Sequence, residues 1–129
     1  MCDFAKGAFT PPEMCKRRPA IVLSPKIKNR PGLCTVVALS TTEPDPVMPY
    51  HGQIRIKPKL PKGMESDAVW IKGDMVNAVG FHRLDLINLG KDMNGKRQYL
   101  LEPIEDDQFE IVQRCVLRAM GFSSLTKHL

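Results

Sequence analysis

The sequence predicts a small, mainly β domain: a strongly bent antiparallel sheet or barrel with one C-terminal helix packed on it. Three observations predict it. Short runs rich in Val, Ile and Leu are bounded by turn residues. Eleven prolines and nine glycines in 129 residues impose many turns and short elements. Sustained helical spacing of apolar residues appears near the end, over 105–121. A chain of this length supports one modest core, so residues 1–129 read as a single domain.

Cys2-Asp3-Phe4 reads as the end of a strand, and residues 5–17, with Gly7, Pro11 and Pro12, as a loop. Residues 19–24 and 34–41 are strands, joined through the turn residues Asn29, Pro31 and Gly32. Residues 43–52 form a proline-rich loop. Gly52-Gln53-Ile54-Arg55-Ile56 alternates polar and apolar, as a half-buried strand does. A basic loop over 57–66, including Lys57, Lys59 and Lys62, leads to a strand at Ala68–Lys72 and a separate short one at Asn77–His82. Leu84–Leu89 is a helical turn or an extended segment. Asn94-Gly95 predicts a hairpin closed by a type I′ turn. In the helix, Glu105, Asp106 and Asp107 place negative charge in the first turn, where the dipole favours it. Phe109, Val112, Val116, Ala119 and Met120 make the apolar face, and Gly121 suits the C′ position.

Charge is unevenly spread. Residues 1–64 carry 11 Lys and Arg against 4 Asp and Glu, a net +7, while 65–129 carry 8 against 10, a net −2. A basic half suits a polyanionic partner held through phosphates. At 43% hydrophobic the composition is not that of a disordered chain. The longest apolar runs are about four residues, against the ~20 that span a bilayer, which predicts a protein without a membrane segment. Cys2, Cys15, Cys34 and Cys115 form no C-x-x-C pair, and His51, His82 and His128 complete no zinc spacing. No metal and no cofactor is therefore expected. Reduced thiols in the cytoplasm are the expectation, with Cys34 and Cys115 in the core.

The chemistry concentrates at two strand ends. Lys16-Arg17-Arg18 stands at the mouth of Pro19-Ala20-Ile21-Val22-Leu23, which Ser24-Pro25 releases. Thr35-Val36-Val37-Ala38-Leu39 runs into Ser40-Thr41-Thr42. If these strands pair, a guanidinium and a hydroxyl meet at one sheet edge, an arrangement suited to a phosphate. RNA carries its own nucleophile, the 2′-OH, so cleaving it needs a base, a donor to the 5′-oxygen and charge stabilisation at phosphorus. Arg18 suits the last role, because its fork binds two phosphate oxygens while its pKa, above ~12, makes it a poor acid. Thr41 offers a hydroxyl, with Ser40 and Thr42 as neighbouring alternatives, since alternation puts successive side chains on opposite faces. Trp70, Phe81 and Tyr50 are aromatic enough to stack on bases; Trp70, inside an apolar strand, reads as core.

These two motifs resemble the PemK/MazF family of toxin endoribonucleases, most closely over residues 13–42. The resemblance implies an SH3-like barrel of the CcdB/Kid/MazF type, a homodimer, and a type II toxin that cuts single-stranded RNA without a metal. It also implies an acidic, partly disordered cognate antitoxin lying over the basic groove. By resemblance Arg18 is a catalytic position, and Thr41 matches the family's threonine or serine. Glu13, five residues before Arg18, matches an acidic residue that transfers a proton or holds the arginine. Lys72 and Asp74 match the spacing of an R-x-D pair that some members of the family carry, with proposed acid and base roles, and lysine here replaces arginine, a point charge without the bidentate fork. Arg17, Lys16, Ser40, Lys26, Lys28, Arg55 and Lys57 are the residues expected to bind RNA. Two other classes are distinguishable: a silent RNA-binding or interaction module, and a gyrase poison resembling CcdB. The poison depends on a Trp-Gly-Ile helix end, where this chain has Met120-Gly121-Phe122.

Overall fold

The structure, a computed structural model, describes residues 1–5, 9–61, 63, 64, 66 and 68–129. Gly7 of the first loop and Lys62 of the basic loop lie outside the described residues. Eight strands and one long helix follow in order: β1 (Cys2–Asp3), β2 (Arg17–Arg18), β3 (Ala20–Val22), β4 (Leu33–Ser40), β5 (His51–Ile54), β6 (Val69–Gly80), β7 (Asn88–Lys91), β8 (Arg97–Tyr99) and α1 (Asp106–Ala119). Short 3₁₀ turns occupy Phe81–Arg83 and Ser123–His128. The main sheet is antiparallel, in the order β3-β4-β6-β5, while β1 pairs with β2 and β7 with β8. Among the described residues these sheets do not join into a closed barrel.

Strand β4 sits centrally and is buried on both faces, which is why its apolar run shows no alternation. Val37 and Leu39 pack into one cluster with Ile21, Ile54, Val69, Ile71 and the helix residues Val112, Cys115 and Val116. Cys34, Val36 and Ala38 face the other way, into a second cluster with Cys2, Phe4 and Val79. Burial pushes the Cys34 and Cys115 thiols up, in keeping with the core placement read from sequence.

Three expectations change. The strands expected at 68–72 and 77–82 are one twelve-residue strand, β6, because a bulge absorbs the interruption at Gly73-Asp74 without ending the strand. Lys72 faces Ala38 and Val76 faces Val37, so Gly73, Asp74 and Met75 are extra residues in the ladder. The Asn94-Gly95 hairpin forms, but not with a type I′ turn. The Gly95 amide bonds the Asp92 carbonyl at 3.0 Å, and of these two residues Gly95 alone takes a positive φ, 78°. That is a type I turn followed by a left-handed glycine, the longer hairpin loop. On α1, Met120 is 51% exposed, and Cys115 completes the buried stripe with Val112 and Val116. The helix ends as expected, with Gly121 at φ 80°. The Phe122 and Gly121 amides bond the Leu117 and Arg118 carbonyls at 2.8 and 3.1 Å.

Candidate active site

The register of the main sheet builds the site. Ala20, Ile21 and Val22 face Ala38, Val37 and Val36, and the Leu39 amide donates to the Pro19 carbonyl at 2.9 Å. Pro19 has no N–H to return, so the ladder loses a bond there. Continued one step further, the same register runs toward Arg18 and the Ser40 end of β4. Ser40 faces Trp70, and Trp70 faces Gln53. Paired residues share a face, so Ser40, Trp70 and Gln53 form a row across β4, β6 and β5, and Arg18, at the end of β2, stands at the Ser40 end of that row. The adjacent row is Ala20, Ala38, Lys72 and His51. Both rows lie on the face of the second cluster.

Arg18 is half-buried, opposite the buried Cys2. Its Nε is the one buried side-chain polar atom among the described residues that lacks a hydrogen-bond partner. An unsatisfied buried donor costs roughly 1–3 kcal/mol, a cost that a bound anionic oxygen would relieve. Ser40 is buried; its hydroxyl donates to the Thr42 carbonyl at 3.2 Å and accepts the Thr42 amide at 3.1 Å. Thr41 is exposed just past the strand, and its hydroxyl makes no hydrogen bond to the described residues.

The bulge carries Asp74 out of the ladder, leaving its side chain 40% exposed. Gly73 is what permits this. A Cβ there would stand 2.5 Å from the Tyr50 carbonyl oxygen and 2.7 Å from that of Cys115, so three backbones converge where only glycine fits. The Gly73 amide also donates to the Tyr50 carbonyl at 3.2 Å. That convergence brings His51 beside Asp74, with Nε2 3.7 Å from Oδ1 and the imidazole 8% exposed. Burial holds the ring below its usual pKa, against the Asp74 carboxylate and with help from the Lys72 ammonium. His51 Nδ1 accepts the Met48 amide at 3.1 Å. A neutral ring that accepts at Nδ1 carries its hydrogen on Nε2, and that hydrogen faces Asp74.

The remaining predicted residues divide. Arg55 and Lys57 follow β5 at the same end of the sheet as Arg18. Lys57 pairs with Glu105 at 3.7 Å. Arg17 and Lys16 are exposed at the start of β2, and Arg17 donates to Asp85 at 2.9 Å. Glu13 does not hold Arg18: its Oε2 accepts the Thr10 amide at 2.9 Å in a local turn. Lys26 and Lys28 lie on the β3–β4 connection, at the far end of the sheet, where the structure does not bring them to Arg18. Trp70, expected in the core, is half-buried in the Ser40 row.

The sequence matches the family described as PemK-like, MazF-like toxin of type II toxin–antitoxin systems, over residues 1–120. The chain belongs to that family. No curated protein matches it. Membership in a type II toxin family implies an antitoxin partner. The matched segment takes in both strand ends, the β6 bulge and all of α1, so every residue of the candidate site lies inside the toxin family's span. No described helix of this toxin-family chain is long and apolar enough to cross a membrane.

His51 and Gln53 are the site residues that sequence reasoning missed. The signal was faint: a histidine at the head of an alternating run. Nothing local ties it to Lys72 and Asp74; the β5–β6 register does.

Proposed function

We propose that this toxin-family protein is a metal-independent endoribonuclease that cuts single-stranded RNA. In this reading the 2′-oxygen attacks the adjacent phosphorus and the bond to the 5′-oxygen breaks, leaving a cyclic phosphate and a 5′-hydroxyl. Asp74 takes the 2′ proton, and Lys72 gives one to the departing 5′-oxygen. Arg18 holds the phosphoryl oxygens as charge builds on them, and Thr41 adds a hydroxyl hydrogen bond. The observation that carries the reading is the buried, unpartnered Nε of Arg18, at the Ser40 end of the main sheet. Arg55, Lys57, Arg17 and Lys16 supply backbone affinity around it.

The same reading takes the fold as an SH3-like barrel. The bridge between Cys2 and Leu84, beyond the end of β6, supports it by drawing β1 toward that strand. It also takes the protein as a cytoplasmic homodimer whose antitoxin covers the basic face. The lysine at 72, where some members of the family carry arginine, favours one second reading: a module that binds RNA and leaves it whole.

The test is incubation of purified protein with mixed RNA in EDTA, followed by sequencing of new 5′ ends. Cleavage is expected, and Arg18→Ala should lose it. Intact RNA with the wild type, or unchanged cutting by Arg18→Ala, overturns the assignment; RNA bound but intact supports the silent module.

A further inference from the structure

We infer that His51 is a positioning residue for Asp74: its Nε2–H fixes one carboxylate oxygen and leaves the other to take a proton from RNA. The inference rests on the ribonuclease reading for what Asp74 does, but the contact itself is geometric. Asp74 stands on a bulge, side chain 40% exposed, with His51 as its one side-chain partner among the described residues. An exposed carboxylate on a bulge has rotational freedom, and loose placement of a base is costly: a 1 Å displacement can cost about 100-fold in rate.

The two nitrogens of His51 are used differently. Nδ1 accepts the Met48 amide at 3.1 Å, and the His51 amide donates back to the Met48 carbonyl at 2.8 Å, closing a turn. The first of these orients the ring and places its hydrogen on Nε2. The Tyr50 ring meets the imidazole edge-on, centroids 4.6 Å apart. Lys72 lies opposite His51 in the ladder, and Arg118 of α1 reaches the Pro49 carbonyl at 3.4 Å. Burial, with help from the Lys72 ammonium and against the Asp74 carboxylate, disfavours a charged imidazole and so favours the neutral donor. The 3.7 Å separation is longer than a hydrogen bond, as catalytic contacts often are before substrate closes them.

A pair of substitutions separates positioning from folding. Asparagine carries an acceptor where Nδ1 was and no donor where Nε2 was; glutamine does the reverse. His51→Asn should keep the Met48 turn and the melting temperature, and lower kcat on a single-stranded RNA by about 10- to 100-fold, with KM within twofold. His51→Gln should lose thermal stability yet keep kcat within a few-fold. The opposite pattern, with full kcat in His51→Asn, overturns the inference. Should both variants fail to fold, nitrogen-15 NMR of the wild type decides. An Nε2–H tautomer whose Nε2 resonance moves in Asp74→Asn supports the contact, and an Nδ1–H tautomer or an unmoved resonance overturns it. A wild type that cuts no RNA removes the ribonuclease reading, and the positioning role with it, while the NMR result still reports on the contact.

Discussion

The Pro19 carbonyl accepts the Leu39 amide at 2.9 Å, which carries the β3–β4 ladder one step past Ala20 and Ala38, toward Arg18 and the Ser40 end of β4. Ladder pairing stops there, because proline has no amide to give back. The strand end is thereby open, with a guanidinium nitrogen buried and unpartnered at its mouth.

Arg18 should cost stability while serving function. Arg18→Met keeps the length of the side chain and removes the unsatisfied donor. It should leave stability unchanged or raise it by up to about 1 kcal/mol in urea unfolding, while RNA cleavage falls at least about 100-fold. A clear loss of stability would show that the guanidinium is satisfied in the folded protein.

Ser40 and Thr41 should separate by assay. The Ser40 hydroxyl is committed to both backbone groups of Thr42, so Ser40→Ala should destabilise by about 0.5–1.5 kcal/mol. Thr41 is exposed, and Thr41→Ala should stay within about 0.5 kcal/mol of wild type. Its kcat should drop on the order of 100-fold if that hydroxyl meets the phosphoryl oxygen. Parallel thermal melts and single-turnover cleavage read both.

Gly73→Ala should destabilise by about 1–3 kcal/mol, the usual cost of forcing atoms into a packed site. The colliding atoms are the Tyr50 and Cys115 backbones, which cannot swing aside as a side chain can. Gly52→Ala meets the Cys115 sulfur and should cost less. Denaturant midpoints of the two variants compare them directly.

His51 should make the protein acid-sensitive. Burial depresses its folded pKa below the ordinary 6.5, so between those two values the unfolded chain binds more protons than the folded one. Stability therefore falls as pH drops below about 6.5, until the folded pKa is passed. The groups facing the ring are Asp74, which opposes the depression, and Lys72, which adds to it. Melting temperatures from pH 7.5 to 5, set against those of His51→Gln, should show the His51 part of the slope vanish in the variant.

Arg17 is engaged by Asp85 at 2.9 Å, with both side chains more than half exposed. Such a surface pair contributes little, about 0–1 kcal/mol. Asp85→Asn should therefore leave the melt nearly unchanged and free Arg17 for a phosphate. Binding of a 2′-deoxy RNA analogue should tighten, and its salt slope should steepen by about 0.7 for the added contact.

Local chemistry was legible in the sequence. Acidic residues at the helix start, Gly121 at its end, proline and glycine between strands, and the β4 apolar run all act within a few residues of themselves, so their outcome follows from their neighbours. The errors came where a distant element decided. Gly73-Asp74 looks like a break in a strand, yet β4 and β5 hold both flanks and turn the break into a bulge. Asn94-Gly95 is a turn by composition, but its type depends on where the hairpin pairing ends. Trp70 sits in an apolar run, and alternation against Ser40 and Gln53 turns it to the polar row.

Composition and short-range periodicity directly encode a β-rich chain with a terminal helix, a basic first half, and a cation and hydroxyls at two strand ends. Which of them meet depends on the assembled sheet. Register is set by long-range pairing, and a one-residue slip turns every side chain to the other face. That is why Arg18 stands at the Ser40 end of the sheet, why Lys26 and Lys28 stand at the far end, and why a histidine from β5 comes to rest against Asp74 of β6.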